Sequence, residues 1–201
     1  QPILLTCAEP NPRIIAMTAS AYDTDLDKTA ANYQPLTPLT FLARSAAVYP
    51  EHIAIIHGRQ RISYAAFYAR TRRLASSLAK AGLKKGETVS VLLANTPAML
   101  ECHYGVPMTG GVLNTLNTRL DAATIGFSLD HADAKYLIVD KEFSALTQNA
   151  IQLMKGSHPI IVDYADPEYE VAGTRIGNID YEQFVQSGDA DFAWRWPDDE
   201  W

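Results

Sequence analysis

Two cysteines in 201 residues are too few for a disulfide framework, and Cys7 and Cys102 sit in unlike settings, one in an unpatterned leader and one inside an apolar helical stretch. The chain therefore reads as a protein of a reducing compartment, cytoplasmic by expectation. No apolar run approaches the roughly 18 residues that a membrane span needs, and Ile3, Leu4 and Leu5 are too short for a signal-peptide core. Concentrated positive charge is missing too. With 17 Lys and Arg against 23 Asp and Glu, the net charge of −6 excludes a dedicated nucleic-acid surface, which needs clustered cations opposite the phosphates. The densest basic stretch (Arg70, Arg72, Arg73, Lys80, Lys84, Lys85) falls on one amphipathic helix and its exit turn and reads as a solvated face. His52, His57, His103, His131 and His158 show no i,i+4 pair and no cysteine at ligand spacing, so no metal site is expected. Neither G-x-x-x-x-G-K-[ST] nor G-x-G-x-x-G occurs, and Gly110-Gly111 precedes an extended piece, so no self-contained phosphate cradle is visible.

What is present is the composition of an ordinary globular chain, 47% apolar and 20% charged, long enough for one sizeable domain. Residues 1–34 mix Pro, Asn, Asp and Thr without a sustained period and read as a loose leader. Within it Met17-Thr18-Ala19-Ser20 resembles a translation start, which would make residues 1–16 upstream sequence. After Pro35 the period changes. Leu39, Leu42, Ala43 and Ala46 recur at helical spacing behind Thr37 or Thr40 as caps, and Pro50 closes the segment. Two β-rich runs, 53–56 and 61–64, flank His57-Gly58-Arg59-Gln60 as a hairpin. A long helix from Tyr64 places Phe67, Thr71, Leu74, Ala75 and Leu78 on one face and Arg70, Arg73, Ser77 and Lys80 on the other, with Gly82 as its stop.

Residues 88–93 (TVSVLL) form a nearly continuous apolar run, the mark of a strand buried on both faces, and Asn95-Thr96-Pro97 starts a helix. The alternation then repeats. Val112-Leu113 is extended, Asp121 caps a helix whose Ala122, Ile125, Leu129 and Ala132 share a face, and 136–139 is another buried strand. Phe143, Leu146, Ala150, Leu153 and Met154 mark a helix, 160–162 a strand, and Asp180 with Gln183 caps a last helix; the stretch between 164 and 179 reads as a surface excursion. The fold class that follows is α/β, a doubly wound and mostly parallel sheet with helices on both sides.

In such a sheet the strand carboxyl ends border the ligand crevice, which favours Asn95-Thr96, residues 114–119 and Asp140 as site positions. Two Asn-Thr pairs in Asn114-Thr115-Leu116-Asn117-Thr118-Arg119 offer many local hydrogen bonds, and bracing of that loop, with Arg119 paired to Asp121 or to a carboxylate elsewhere, is the expectation over ligand contact. Glu101, His103 and Tyr104 lie too close along one helix to converge, so Leu100 and Tyr104 are expected to face the core and Glu101 the solvent. No side chain is assigned a catalytic, cofactor-binding or metal-binding role.

Taken together the stretches resemble the amino-terminal subdomain of AMP-forming acyl-CoA synthetases, in the adenylate-forming superfamily. Ile62-Ser63-Tyr64-Ala65-Ala66-Phe67 is similar to the family's first core motif, with Ala66 where the family carries Glu. Gly86-Glu87-Thr88-Val89 leading to Leu92-Leu93-Ala94-Asn95-Thr96-Pro97, with Glu101, Tyr104 and Gly105 after it, resembles the following strand and helix. Residues 106–120 (VPMTGGVLNTLNTRL) look like the second core motif as it stands in medium-chain fatty-acyl and methylthiopropionyl-type CoA ligases, and His131-Ala132-Asp133-Ala134-Lys135 like the turn after it. The resemblance covers residues 36–201. It implies an amino-terminal α/β subdomain over 35–190 and, over 191–201, the start of the segment leading to the family's phosphate loop. It implies for the parent protein a cytoplasmic ligase of fatty acid metabolism that joins a small carboxylic acid to CoA through an acyl-adenylate. ATP, Mg²⁺ and CoA would be its cofactors, and a homodimer is compatible with it. The parts that grip phosphate and metal lie downstream in the family, so this chain alone is expected to be inactive and to bind none of these tightly. A non-catalytic α/β interaction module, or an aryl-CoA or amino-acid-adenylating relative, are the other readings.

Overall fold

The structure, a computed structural model, describes Thr29, Ala31 and residues 33–170 and 172–197. Two compact units, Gln1–Gln34 and Pro35–Trp201, make up the chain. The leader expected over 1–34, with Cys7 and the Met17 start, lies almost wholly outside the described residues, as do positions 198–201 of the tail.

The second unit opens with α1 (Pro38–Val48), whose amino end is capped by Thr37: its hydroxyl accepts the Leu39 N–H at 3.3 Å, which decides between the two candidate threonines. An antiparallel hairpin follows, β1 (Ile53–His57) and β2 (Gln60–Ser63), with Gly58 at φ +54° in its turn. Ser63 then caps α2 (Tyr64–Lys80) by accepting the Ala66 N–H.

From here strands and helices alternate: β3 (Thr88–Leu92), α3 (Pro97–Met108), β4 (Val112–Thr115), α4 (Ala122–His131), β5 (Ala134–Asp140), a short turn of 3₁₀ helix (Lys141–Phe143), α5 (Ser144–Leu153), β6 (Ile160–Tyr164), β7 (Ile179–Asp180) and α6 (Tyr181–Gln186). The five strands β3 to β7 form one all-parallel sheet in the order β4-β3-β5-β6-β7. Asp121 and Asp180 cap α4 and α6, accepting the N–H of Thr124 at 2.8 Å and of Gln183 at 3.0 Å. The doubly wound α/β fold is therefore the one the alternation implied. One difference lies in the stretch read as a surface excursion. It ends in β7, and the Asp163 carboxylate pins it by accepting the N–H groups of Ile176 and Gly177 at 3.0 and 2.8 Å.

Side chains of the central strands alternate between two cores, as the pleat demands. Val89, Val91, Tyr136 and Ile138 pack with Leu74 and Leu78 of α2, Cys102 and Val106 of α3, and Tyr181 and Val185 of α6. Leu92, Leu137 and Val139 pack on the opposite face with Ile125 and Leu129 of α4 and Ala150 of α5. Each of these buried aliphatic side chains contributes roughly 1.5–3 kcal/mol by leaving water. A third, smaller core joins Leu39 and Leu42 of α1, Ile55 of the hairpin, and Phe67, Ala75 and Met108. Helices α2 and α3 touch closely because Gly105 has no side chain: a Cβ there would stand 2.9 Å from a Leu74 methyl and 3.0 Å from the Thr71 carbonyl oxygen. Cys102, fully buried between α3 and the sheet, has a thiol pushed up by burial and by the neighbouring Glu101 charge, and it stays protonated.

Candidate functional site

The strand order reverses direction between β3 and β5, for the chain leaves β3 toward β4 on one side and leaves β5 toward β6 on the other. Loops therefore diverge at the carboxyl ends of these two strands, the place where open α/β sheets bind ligands. Asn95-Thr96 follows β3, residues 116–119 follow β4 and Asp140 ends β5, so the three positions favoured by the sequence lie on three adjacent strands. Asp140 is buried, which raises its pKa, and it caps the 3₁₀ turn by accepting the Glu142 N–H at 3.0 Å. Thr96 begins α3 without capping it, and its buried hydroxyl makes no hydrogen bond of full geometry. Tyr164, at the end of β6, joins this border; burial and the nearby Asp166 and Asp140 charges push its phenol up.

The loop after β4 is braced rather than open. Asn114 donates to the Ser90 hydroxyl at 3.0 Å, and the Asn117 side chain accepts the Arg119 N–H at 2.9 Å. The expected pair between Arg119 and Asp121 does not form among the described residues; Arg119 is exposed and the Asp121 carboxylate is engaged as the α4 cap.

Beside this border, a cleft of about 370 Å³ opens between the hairpin, α2, α3 and the exit of β6, with Gln60, Arg61, Arg70, Glu101, Tyr164 and Glu182 among its walls. At its base Arg70 holds Glu101 through Nε at 2.5 Å and Nη2 at 3.2 Å, and Glu182 through Nη2 at 2.7 Å and Nη1 at 3.0 Å. The Tyr181 hydroxyl donates to Glu101 at 2.7 Å. Burial opposes the Arg70 charge, yet bonds to the two carboxylates outweigh it and hold the guanidinium firmly protonated. Burial likewise pushes the Glu101 carboxyl up, against the pull of Arg70 and Tyr181.

This network corrects two expectations. Glu101 is completely buried, whereas Leu100 is 42% exposed, the reverse of the solvated acid and inward leucine read from the sequence; Tyr104 does turn inward, edge-on to Phe67. The acid can be inside because Arg70 and Tyr181 satisfy both its oxygens. The polar face of α2 is not a solvated one either. Ser77 is buried and bonds to the Phe184 carbonyl, Arg73 donates to the Gly188 carbonyl at 2.8 Å and Lys80 to that of Ser187 at 3.0 Å, so this face receives α6 and the turn after it.

The sequence also gave no sign of the clamp on the hairpin. His57 Nε2 stands 2.8 and 2.9 Å from the two Asp166 oxygens, and the Arg59 N–H donates to Glu168 at 2.8 Å. The partners are 109 residues apart, and no local pattern could have joined them. Among the described residues no three His, Cys, Asp or Glu side chains converge as metal ligands, and no helix is long and apolar enough to cross a membrane.

Comparison with known proteins gives this geometry its setting. The profile of the AMP-binding enzyme family matches residues 42–191. The chain is 41% identical over 187 residues to an acetate–CoA ligase, CCL3, of Humulus lupulus, and 42% identical over 187 residues to a peroxisomal acetate/butyrate–CoA ligase, AAE7, of Arabidopsis thaliana. Either alignment takes in 88% of this chain and 33% of the relative, so the chain spans about a third of the length of the curated relatives it matches. Among solved structures, an anthranilate CoA ligase, AuaEII, with bound anthranoyl-AMP superposes with a TM-score of 0.70 at 16% identity, covering 85% of this chain and 32% of the other. A benzoate CoA ligase from Burkholderia xenovorans LB400 gives 0.61 at 21% identity, over 75% of this chain and 28% of the other. At such identities the likeness is one of fold.

Proposed function

The chain belongs to the AMP-binding enzyme family, and from that premise we propose that it is the amino-terminal part of an ATP-dependent acyl-CoA ligase. The observation that carries the reading is the identity of 41–42% to ligases of acetate and butyrate over 88% of the chain. The parent protein activates a short- or medium-chain carboxylic acid: its carboxylate attacks the α-phosphate of ATP, pyrophosphate leaves, and the CoA thiol then displaces AMP from the acyl-adenylate. A relative named benzoate–CoA ligase, 39% identical over 82% of the chain, keeps an aryl acid as the second substrate class.

Within this ligase, residues 35–190 act as a frame and residues 191–201 lead toward the phosphate-gripping loop. The side chains present do not fit Mg²⁺ or a polyphosphate. Asp140 is committed to a cap, Asp166 to His57 and Glu101 to Arg70, and acidic groups crowd the β6 end around Tyr164. A triphosphate would meet negative charge there, so no step of the reaction is derived through ATP or the metal on this chain. What the frame supplies is a rigid crevice border and the clamped hairpin beside it.

Purified full-length protein with Mg²⁺, ATP, CoA and a panel of acids from acetate to octanoate, plus benzoate, tests the reading by release of AMP and formation of acyl-CoA. Turnover with an aliphatic acid is expected, and absence of acid-dependent AMP release across the panel overturns it. The chain of residues 1–201 alone is expected to show no acid-dependent exchange of pyrophosphate into ATP; exchange from pure material refutes the frame role. Cytoplasmic placement is part of the proposal, supported by the sparse cysteines, and fluorescence of a tagged full-length protein in peroxisomes, where AAE7 is named, would refute it. A homodimer remains part of the proposal and is read by light scattering.

A further inference from the structure

We propose that the cleft between the hairpin and helices α2 and α3 is a binding site for a small monocarboxylic acid, with Arg70 as its receptor and Glu182 as a resident carboxylate that the acid displaces. The acid is held there unreacted, since the acidic groups at this end of the sheet turn a polyphosphate away. The inference goes beyond the ligase reading and does not rest on it, because every wall of the cleft comes from residues 60–182.

Arg70 uses two edges of its guanidinium. The Nε and Nη2 edge faces Glu101, which is completely buried and has the Tyr181 hydroxyl as a further donor. The outer edge, Nη1 and Nη2, spans the two Glu182 oxygens at 3.0 and 2.7 Å, the paired geometry in which a guanidinium recognises a carboxylate. Of the two acids Glu182 is the loosely held one. Its side chain is 47% exposed, its bonds among the described residues go to Arg70 alone, and it stands in the first turn of α6, a helix of six residues. Released from Arg70, it returns to water at little cost.

The space around that outer edge has the make-up of a small-molecule site. Its volume of about 370 Å³ lies within the range of ligand pockets. Ile62, Ala66, Pro97, Ala98 and Pro167 give an apolar wall for the body of an acid, and the Tyr164 phenol, kept protonated by burial and by nearby acidic charge, adds a donor. The hairpin side of the cleft is fixed in place by the His57–Asp166 pair and by the Arg59 N–H on Glu168.

Charge selects a monoanion. In the walls Arg61 and Arg70 balance Glu101 and Glu182, and Arg61 already uses Nη1 on the Gly58 and Gln60 carbonyls. Exchange of one carboxylate for another on Arg70 keeps that balance, whereas a phosphate dianion would add charge beside Glu101 and Glu182. The neighbouring position on α2 leaves room as well. Ala66 stands one helical turn before Arg70, is exposed and lines the cleft, so the place from which a helix carboxylate would reach the guanidinium carries only a methyl group.

The test is binding of para-fluorobenzoate to the full-length protein without ATP or CoA, followed by fluorine NMR and by competition with octanoate, in the unaltered protein and two surface variants. Glu182→Gln weakens the resident partner and is expected to tighten binding about fivefold. Ala66→Glu places a rival carboxylate four residues before Arg70 and is expected to weaken binding about fivefold. Any result other than opposite shifts in the two variants, absence of binding included, overturns the proposal. Photolabelling with para-azidobenzoate then locates the acid. Labelled peptides from residues 60–70, 97–101 or 164–182 support the site, and labelling confined to other parts of the protein overturns it. Acid-dependent release of AMP is read separately, so failure of this site and failure of the ligase reading are told apart.

Discussion

The two faces of the sheet are held by different physics. Under α4 and α5 the contact is mainly apolar and holds no ion pair, with Leu92, Leu137 and Val139 against Ile125, Leu129 and Ala150 beside the buried, uncharged Thr147. Its polar ties stand at the exposed rim: Asp121 caps α4, and Asp130 accepts the N–H groups of Lys155 at 2.7 Å and Gly156 at 2.9 Å. Under α2, α3 and α6 the apolar layer borders a partly buried ionic knot, in which the buried Glu101 and Tyr181 meet the half-buried Arg70 and, at the surface, Glu182. An apolar contact fails by degrees when atoms are removed. A buried charge fails abruptly when its partner goes.

The comparison breaks most sharply at Arg70. Arg70→Met leaves Glu101 buried without a counter-charge and is expected to cost about 3–5 kcal/mol, read as a fall in the denaturant midpoint at constant slope. A loss below about 1 kcal/mol would mean that water reaches Glu101, and the faces would then be alike. Combining Arg70→Met with Glu101→Leu removes both charges. The pair is expected to recover much of the loss and leave about 1–3 kcal/mol, because the Tyr181 hydroxyl then lacks its acceptor. Simple additivity of the two variants would refute the coupling.

On the other face Ile125→Val removes one buried methylene and is expected to cost about 0.5–1.5 kcal/mol in the same melts. A loss matching that of Arg70→Met would show that the α4 side is no more forgiving than the other. The smallest effect is that of pH on the exposed ties. Backbone donors hold Asp121, Asp130 and Glu168 below their ordinary values of 3.8, 3.8 and 4.5, through Thr124, through Lys155 and Gly156, and through Arg59. A carboxyl depressed in the folded state stabilises above its unfolded pKa and loses that contribution as pH falls through the folded value. Melting temperature should therefore be level from pH 7 to about 5 and decline slightly below that, from these groups. The raised Asp140 and Glu101 carboxyls work in the opposite direction, so the bonds are read by difference: the acid-side decline should lessen in Asp121→Asn, and an unchanged decline would contradict the assigned cap.

The same contrast explains what was readable in the amino-acid order. Much that neighbours within a few residues govern was visible: the hairpin around Gly58, Thr37 as one of two candidate caps, the caps Asp121 and Asp180, the buried runs of β3 and β5, and the apolar stripe of α2, though not the Ser63 cap of α2 or the 3₁₀ turn behind Asp140. The candidate positions at the strand ends were visible too, because topology alone puts them there. The ionic knot was not. Its members are 31, 80 and 112 residues apart, and on a helical wheel an arginine bound for a buried acid looks the same as one bound for water. Nor could the amphipathic pattern of α2 announce α6, since a face that receives a short helix through Ser77, Arg73 and Lys80 is as polar as one that receives solvent.

Burial of Cys102 turns the molecule into its own stopwatch. With no exposed surface and a thiol that resists ionisation, it can meet a maleimide only when α3 parts from the sheet, so the labelling rate of that one peptide, followed by mass spectrometry, times the opening of the layer that contains the ionic knot.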